Sequence, residues 1–363
     1  MQLPLFRPSI GPGETKAIQR VLSSGVLARG SECSSFEQEF ANYVGKKYAI
    51  ATNSGTSALF VVAKSLGWGA GDEVITTPFS YVASANIILM TGATPVFVDI
   101  DPETLNIDPP LIRKKISPKT RGMVIVHALG RATDPAPLRA IARQHRLSII
   151  EDACEAIGRP TSGFPVTQLG DATVYGFHQN KQLTTAGEGG MIVTNNRKLA
   201  ELCRALRDQG RSTKKNWLQH VTLGYNFRLT ELQAAYGRAQ LLRLDALLKE
   251  RSKLAVEYTS ALSGINSLIL PSPAFRSWFF YYVLLSSQVV RTRVQQQLAD
   301  AGIESSTNYF PPIYRFPAYV QFRAATYPHT ESISKRLLVL PLFPGMTKID
   351  IDTVAKVICQ ALQ

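Results

Sequence analysis

The sequence predicts an α/β protein built on a mostly parallel, doubly wound sheet, with a smaller α+β region after it. Short β-branched runs alternate with segments of helical spacing through the first two-thirds of the chain. Of the 363 residues, 45% are hydrophobic and 18% are charged, which is the composition of an ordinary globular protein. The alternation ends near residue 250. We therefore expect helices on both faces of one large sheet.

Seven runs are typical of buried strands, because each is short and apolar and ends at a polar or turn residue. Residues 56–67 and 136–146, which lie between such runs, have the spacing of helices. The predicted strands are residues 47–52, 72–78, 94–100, 122–128, 147–153, 172–177 and 189–195.

The last part of the chain has a different pattern. Residues 229–262 are periodic over one or two helices, and residues 279–287 predict a strand. Two further helices are predicted at residues 292–302 and 349–362. We predict a large α/β domain over residues 1–250 and a small α+β domain over residues 251–363.

No segment predicts a membrane or secreted protein. Residues 74–98 carry no charge, but Pro78, Gly92 and Pro95 interrupt them, so we interpret them as strand, turn, buried helix and strand. The four cysteines form no CxxC pair, which argues against a zinc site or a disulfide framework. The first residues lack the basic and apolar regions of a signal peptide. We expect a cytoplasmic protein with no metal.

The formal net charge of +13 lies mostly in the second half of the chain. A basic cluster there could be a solvated surface, or it could attract nucleic acid, an anionic membrane or a phosphorylated small molecule. No nucleic-acid module accompanies it. We interpret it as a solvated surface or as an attractor of an anionic substrate. The cluster comprises Arg204, Arg207, Arg211, Lys214 and Lys215.

Polar residues follow several of the predicted strands, at the sheet edge where ligands bind in open α/β folds. Gly55, Thr56 and Ser57 open a helix directly after the first strand, where they either bind phosphate or cap the helix. Tyr81 follows the second strand and forms either the wall of a slot for a planar ligand or part of the core.

Two more groups lie at the same edge. Asp152 ends the fifth run and Glu155 follows it, either as ligands or as helix caps. Lys181 follows the sixth run and precedes a glycine-rich turn at residues 187–190. A lysine, a carboxylate, an aromatic wall and a phosphate turn at one edge are the parts of a pyridoxal phosphate (PLP) site.

The sequence also resembles one family over nearly its whole length. It is similar to the DegT/StrS family of PLP-dependent sugar aminotransferases, whose fold is the type I fold of aspartate aminotransferase. Its FHxxK…TTxGEGG and EDAxEAxG blocks are specific to that family. The resemblance rests on SGVLARG (24–30), NSGTSAL (53–59), TPFSYVASAN (77–86), PVFVDID (95–101), IEDACEAIG (150–158), FHQNKQLTTAGEGGMIVT (177–194), GYNFRLTELQAA (224–235) and NYFPPIY (308–314).

The resemblance implies a role for five residues around the ring of the cofactor. Lys181 matches the lysine that carries PLP, and Asp152 matches the partner of the ring nitrogen. Glu155 holds the position near the ring hydroxyl, which is usually Gln or a related polar residue. Tyr81 matches the aromatic residue stacked on the ring, and His178 matches the histidine of the block before the lysine.

The resemblance also implies how the cofactor phosphate is held. Gly55, Thr56 and Ser57 match the phosphate turn, and Asn226 matches an asparagine that reaches the phosphate from a neighbouring subunit. A homodimer with shared sites is therefore implied. Gly176 stands where the family often has a serine that helps to hold the phosphate, so that contact is lost or moved.

The activity that the resemblance implies is transfer of an amino group from L-glutamate to a keto group, at C4 in preference to C3, of a nucleotide-linked keto-deoxysugar. Such a reaction serves the biosynthesis of amino sugars, surface polysaccharides or glycosylated metabolites. The alternatives are a cyclitol-ketone aminotransferase, a PLP-dependent sugar dehydratase and a non-catalytic PLP-binding regulator. Comparable dehydratases have histidine in place of the lysine, whereas Lys181 is present.

Overall fold

A seven-stranded sheet forms the centre of the chain, of which the computed structural model describes residues 2–158, 166–211 and 219–363. The strand order is β1-β7-β6-β5-β4-β2-β3, and β7 runs antiparallel to both of its neighbours while the other pairs are parallel. The prediction of a mostly parallel sheet is confirmed. The strands are β1 (Tyr48–Thr52), β2 (Glu73–Thr76), β3 (Thr94–Phe97), β4 (Thr120–Val126), β5 (Ser148–Asp152), β6 (Ala172–Gly176) and β7 (Gly190–Thr194).

Helices cover both faces of this sheet, as the alternating pattern predicts. Neighbouring residues of a strand point to opposite faces, so Ala49 and Ala51 pack with α2 while Ile50 packs with α3. Residues 74–98 form β2, the buried helix α4 and β3, which confirms that interpretation. The helices up to residue 207 are α1 (Pro12–Ser24), α2 (Ser31–Tyr43), α3 (Gly55–Ser65), α4 (Ala83–Thr91), α5 (Pro109–Arg113), α6 (Pro135–His145) and α7 (Arg197–Arg207).

One helix of 32 residues, α8 (Glu231–Leu262), joins the two parts of the fold. A capping box between Thr230 and Gln233 starts it. Its first half packs under the large sheet through Leu244, and its second half packs into the C-terminal core through Tyr258. The predicted boundary after residue 250 lies inside this helix, and the division into two domains stays a prediction.

The C-terminal part is built on a two-stranded antiparallel sheet of β8 (Tyr281–Leu284) and β9 (Leu337–Leu340). Three helices accompany the sheet, and Leu3 from the start of the chain joins their core. Sequence patterns predicted β8, α9 and α11 but missed α10 and the four-residue strand β9. The helices are α9 (Gln288–Asp300), α10 (Pro328–Arg336) and α11 (Lys348–Leu362).

No helix among residues 2–158, 166–211 and 219–363 combines the length and the apolar character that a membrane crossing needs.

Candidate active site

A cavity of about 540 Å³ lies where the carboxyl ends of β4, β5 and β6 meet the start of α3. Most of the site residues predicted from sequence line it, whereas Ser57 and Asn226 do not. Strands from distant parts of the sequence therefore bring the predicted lysine, carboxylates and helix start together. The predicted residues that line the cavity are Gly55, Thr56, Tyr81, Asp152, Glu155, His178 and Lys181.

Lys181 projects into this cavity from the loop between β6 and β7. The conformation of this loop is fixed by internal hydrogen bonds, including one from the Lys181 amide to the His178 carbonyl at 2.9 Å. The Lys181 side chain is 15% exposed, with Nζ 3.7 Å from Glu155 Oε1 and 4.0 Å from the centroid of the Phe279 ring. A carboxylate and an aromatic face thus hold the amine inside the cavity.

Asp152 is the last residue of β5, and its side chain is a buried carboxylate. Oδ2 accepts a hydrogen bond from Ser84 Oγ at 2.7 Å, and Oδ1 accepts one from the Cys154 amide at 3.2 Å. Within the described residues, no lysine, arginine or histidine pairs with it. The protein therefore stabilises the anion with neutral donors and leaves its charge available to a cationic group in the cavity.

The start of α3 offers free backbone donors. Ser54 caps the helix by accepting from the Ser57 amide at 3.1 Å. The amides of Gly55 and Thr56 have no acceptor within the described part of the chain, as expected in the first turn of a helix. Together with the helix dipole, these donors suit a phosphate group.

Gly176 lies close to the side chain of Cys154. A Cβ atom on this residue would lie 3.2 Å from the Sγ atom of Cys154, and one on Gly55 would lie 3.0 Å from the same sulfur. Cys154 therefore packs tightly beside both glycines. The expectation that the phosphate contact of the family's serine is lost or moved here stays a prediction.

Glu155 connects Lys181 to the C-terminal part of the chain. Its Oε2 accepts hydrogen bonds from the Tyr309 hydroxyl and from the Leu129 amide. Burial, and then the nearby Glu155 carboxylate, raise the pKa of Tyr309 well above its usual value, so the hydroxyl stays protonated and donates. Sequence analysis missed Tyr309, although it lies in the NYFPPIY segment that carries part of the resemblance.

Residues from three distant segments complete the cavity wall and were also missed. They come from the first residues of the chain, from the approach to β8 and from the loop after α9. Apolar character alone does not distinguish such residues from core residues. They are Leu5, Phe6, Phe279, Phe280 and Asn308.

The remaining predicted site residues are at or near the surface. Tyr81 is 68% exposed at the cavity mouth, and the His178 side chain is 41% exposed. Ser57 Oγ lies 2.9 Å from Ser54 Oγ, so this hydroxyl belongs to the helix cap. Asn226 is exposed beside Asp208, away from this chain's own cavity.

Part of the basic cluster is structural. Arg204 donates to the Ala49 carbonyl at 3.2 Å, and Arg207 donates to the Ala51 carbonyl at 2.8 Å and pairs with Glu37. Neither arginine lines the cavity, and attraction of an anionic substrate by this cluster stays a prediction. Arg211 also lies outside the cavity lining.

Lys214 and Lys215, the last two members of the basic cluster, fall outside the described residues.

Glu151, the other carboxylate at the end of β5, lies on the opposite face and is fully buried. The Thr133 amide donates to Nδ1 of His127 at 3.0 Å, so the hydrogen of this imidazole is on Nε2 and points to Glu151 Oε1 at 2.9 Å. Glu151 also accepts from the Thr167 amide and the Thr173 hydroxyl. This network supports the strand ends that carry the cavity.

Replacing Glu151 is expected to destabilise the fold. Glu151→Ala leaves three buried donors without an acceptor, which should lower the free energy of unfolding by about 3 kcal/mol or more. Chemical denaturation measures this change, with the exposed Glu103→Ala as the matched control, expected to stay within about 0.5 kcal/mol of wild type. Equal stability of the two variants would contradict a supporting role for Glu151.

The amino-acid sequence matches known proteins over nearly its full length. The profile of the DegT/DnrJ/EryC1/StrS aminotransferase family matches residues 8–359. The chain belongs to this family. The family resemblance, the type I fold and the PLP-dependent aminotransferase activity that sequence analysis predicted are thereby confirmed.

This aminotransferase is similar to three proteins of named function or with bound cofactor. It is 37% identical to the spore coat polysaccharide biosynthesis protein SpsC of Bacillus subtilis, over 98% of this chain and 96% of SpsC. It is 35% identical to the GDP-perosamine synthase of Vibrio cholerae, over 99% and 98% of the two chains. The structure of NtdA from Bacillus subtilis with bound cofactor PMP matches with a TM-score of 0.90 and 28% identity, over 97% of this chain and 83% of that one. This protein is a sugar aminotransferase.

The residues of this aminotransferase fit PLP. The free amides of Gly55 and Thr56 suit the phosphate, and the buried Asp152 suits a protonated ring nitrogen. Lys181 lies in the same cavity, within reach of Glu155. No residue in this set conflicts with the cofactor that the family uses.

Proposed function

We propose that this enzyme transfers an amino group from L-glutamate to the C4 keto group of a nucleotide-linked keto-deoxysugar. The observation that carries the proposal is that Lys181, Asp152 and the free amides at the start of α3 line one cavity. The similarity to GDP-perosamine synthase favours a sugar nucleotide as acceptor. Surface polysaccharide biosynthesis is the process that the similarity to SpsC favours.

The bound cofactor supplies an electron sink for the carbon that loses a proton. Lys181 Nζ is the base that takes the proton from Cα of the amino donor and returns a proton in the second half-reaction. Asp152 would hold the proton on the ring nitrogen, because among the described residues its buried carboxylate accepts from the neutral donors Ser84 and Cys154. Glu155 keeps the Lys181 amine inside the cavity when it is not bonded to the cofactor.

A reaction run in reverse tests the proposed acceptor. PLP-loaded protein with GDP-perosamine and 2-oxoglutarate should form glutamate, because transamination is reversible. Two other amines are tested in the same assay. A nucleotide-linked 3-amino sugar tests for amination at C3, and the aminocyclitol scyllo-inosamine tests for a cyclitol aminotransferase. Glutamate formed only from one of these alternatives would contradict the proposal.

We also propose that two subunits share each site, with Asn226 acting across the interface. Asn226 is exposed, and Asp208 beside it forms ion pairs with both Arg29 at 2.8 Å and Arg228 at 2.6 Å. Burial acts to raise the pKa of Asp208, but the hydrogen bonds from Arg29 and Arg228 outweigh it and lower that pKa. Asp208 therefore stays anionic and keeps this surface in place.

Asn226→Ala is expected to weaken PLP binding about ten- to a hundredfold, through loss of one charge-assisted hydrogen bond of about 1.5–3 kcal/mol. Mixing it with Lys181→Ala subunits should restore activity at low PLP. A mixed dimer then has one site with both lesions and one with neither, so about a quarter of all sites should work. No recovery despite demonstrated subunit exchange would mean that Asn226 does not serve a partner's site.

A further inference from the structure

His178 lies three residues before Lys181 and lines the cavity with a half-exposed imidazole. Its Nδ1 atom lies 2.8 Å from Oδ1 of Asn180. An amide oxygen carries no hydrogen, and two lone pairs at that distance would repel each other, so of the two contacts to Nδ1 the shorter one favours the tautomer with hydrogen on Nδ1. The amide of Asn180 is 3.4 Å from the same atom, which is at the outer limit of a hydrogen bond.

The other ring nitrogen is left without a protein donor. Nε2 of His178 lies 3.9 Å from Oε1 of Glu188, which is beyond hydrogen-bond distance, and a carboxylate has no hydrogen to give in any case. Within the described residues, no donor reaches this nitrogen. Both His178 and Glu188, whose side chain is 61% exposed, are among the residues that line the cavity.

Within the described part of the chain, His178 Nε2 and the Glu188 carboxylate are therefore two neighbouring hydrogen-bond acceptors on this side of the cavity. A ligand that fits must bring hydrogens, which sugar hydroxyls do and phosphate groups or keto oxygens do not. The loop that carries His178 is the loop that carries Lys181, so a hydroxyl bound at Nε2 would lie on the part of the substrate near the reacting carbon.

We propose that Asn180 is a positioning residue that fixes His178 in the tautomer with hydrogen on Nδ1, so that Nε2 accepts a hydrogen bond from a hydroxyl of the acceptor sugar. The identity of the sugar in this proposal rests on the proposed function, whereas the tautomer of His178 does not depend on it. It assigns a role in substrate recognition to Asn180, the residue directly before Lys181.

Nitrogen-15 NMR of histidine-labelled holoenzyme tests the tautomer without any substrate. His178 is assigned by the signal that disappears in His178→Gln, which is practical because the chain has five histidines. Wild type should show hydrogen on Nδ1. Asn180→Ala should shift the population toward hydrogen on Nε2, the tautomer that free imidazole side chains favour, and Asn180→Asp should retain the wild-type tautomer because a carboxylate accepts from Nδ1 as well.

Kinetics of the same variants test the hydroxyl contact. Asn180→Ala should raise the KM for GDP-perosamine about tenfold, the effect of one lost hydrogen bond, and should change the rate of the half-reaction with L-glutamate by a smaller factor. Asn180→Asp should restore most of the sugar affinity. The exposed neighbour Gln179→Ala is the matched control, and it should change neither the tautomer nor the KM.

Three results would overturn the proposal. The first is hydrogen on Nε2 in wild type, and the second is an unchanged tautomer in Asn180→Ala. The third is a shifted tautomer with unchanged affinity for the sugar, which would remove the hydroxyl contact. A wild type that reacts with glutamate but with no sugar nucleotide contradicts the proposed function itself, and this is observed before any variant is made.

Discussion

Lys181→Ala is expected to abolish turnover, lowering kcat at least about a thousandfold, and to remove the covalent attachment of PLP. Lys181 Nζ is the amine that the fold places in the cavity, next to Glu155 and over the Phe279 ring. Loss of this amine removes both the anchor and the base that moves the proton at Cα. Steady-state rates, and mass spectrometry after borohydride reduction, measure the two effects.

The matched control for this variant is Lys198→Ala, which removes an exposed lysine from α7. It should retain wild-type activity and one reducible cofactor per subunit. Thermal unfolding of Lys181→Ala should remain cooperative, because the Lys181 side chain projects into the cavity and contributes little to the hydrophobic core. Trapping of the cofactor at a different lysine in Lys181→Ala would show that the assignment is wrong.

Asp152→Asn should retain PLP but lose about two to three orders of magnitude in the rate of the half-reaction with glutamate. An amide can accept the hydrogen bonds of Ser84 or Cys154, so the local structure should persist. It carries no charge, however, and therefore no longer holds the proton on the ring nitrogen. Single-turnover absorbance changes measure the rate, and the cofactor content of the purified variant measures binding.

Ser84→Ala separates charge from hydrogen bonding at the same carboxylate. It removes the donor at 2.7 Å but leaves the charge, so the rate should fall by less than about tenfold. A nearly wild-type rate in Asp152→Asn, or an equal loss in Ser84→Ala, would contradict the role assigned to the Asp152 charge.

The sequence predicted the site residues that follow buried strands. Asp152 and Lys181 come directly or shortly after apolar runs, and parallel strands carry their carboxyl ends to one edge. The direction of β7 was not predictable in this way. Its run of apolar residues is the same for either direction, and only its pairing with β1 and β6 shows that it is antiparallel.

Residues that reach the cavity from far along the chain escaped prediction for a similar reason. Tyr309 contacts Glu155 across 154 residues of sequence, and Phe279 contacts Lys181 from the approach to β8. Their local sequence contains no sign of these partners. Conversely, Arg207 looked like part of a substrate-attracting surface, but Glu37 on α2 pairs with it.

A single turnover of PLP-loaded protein with nitrogen-15 L-glutamate and no acceptor tests whether this cavity moves an amino group. We expect one equivalent of 2-oxoglutarate per subunit, with the labelled nitrogen retained on the protein-bound cofactor and no further reaction until a keto sugar nucleotide is added. Absence of 2-oxoglutarate, or release of the label as ammonia, would contradict amino-group transfer in this cavity.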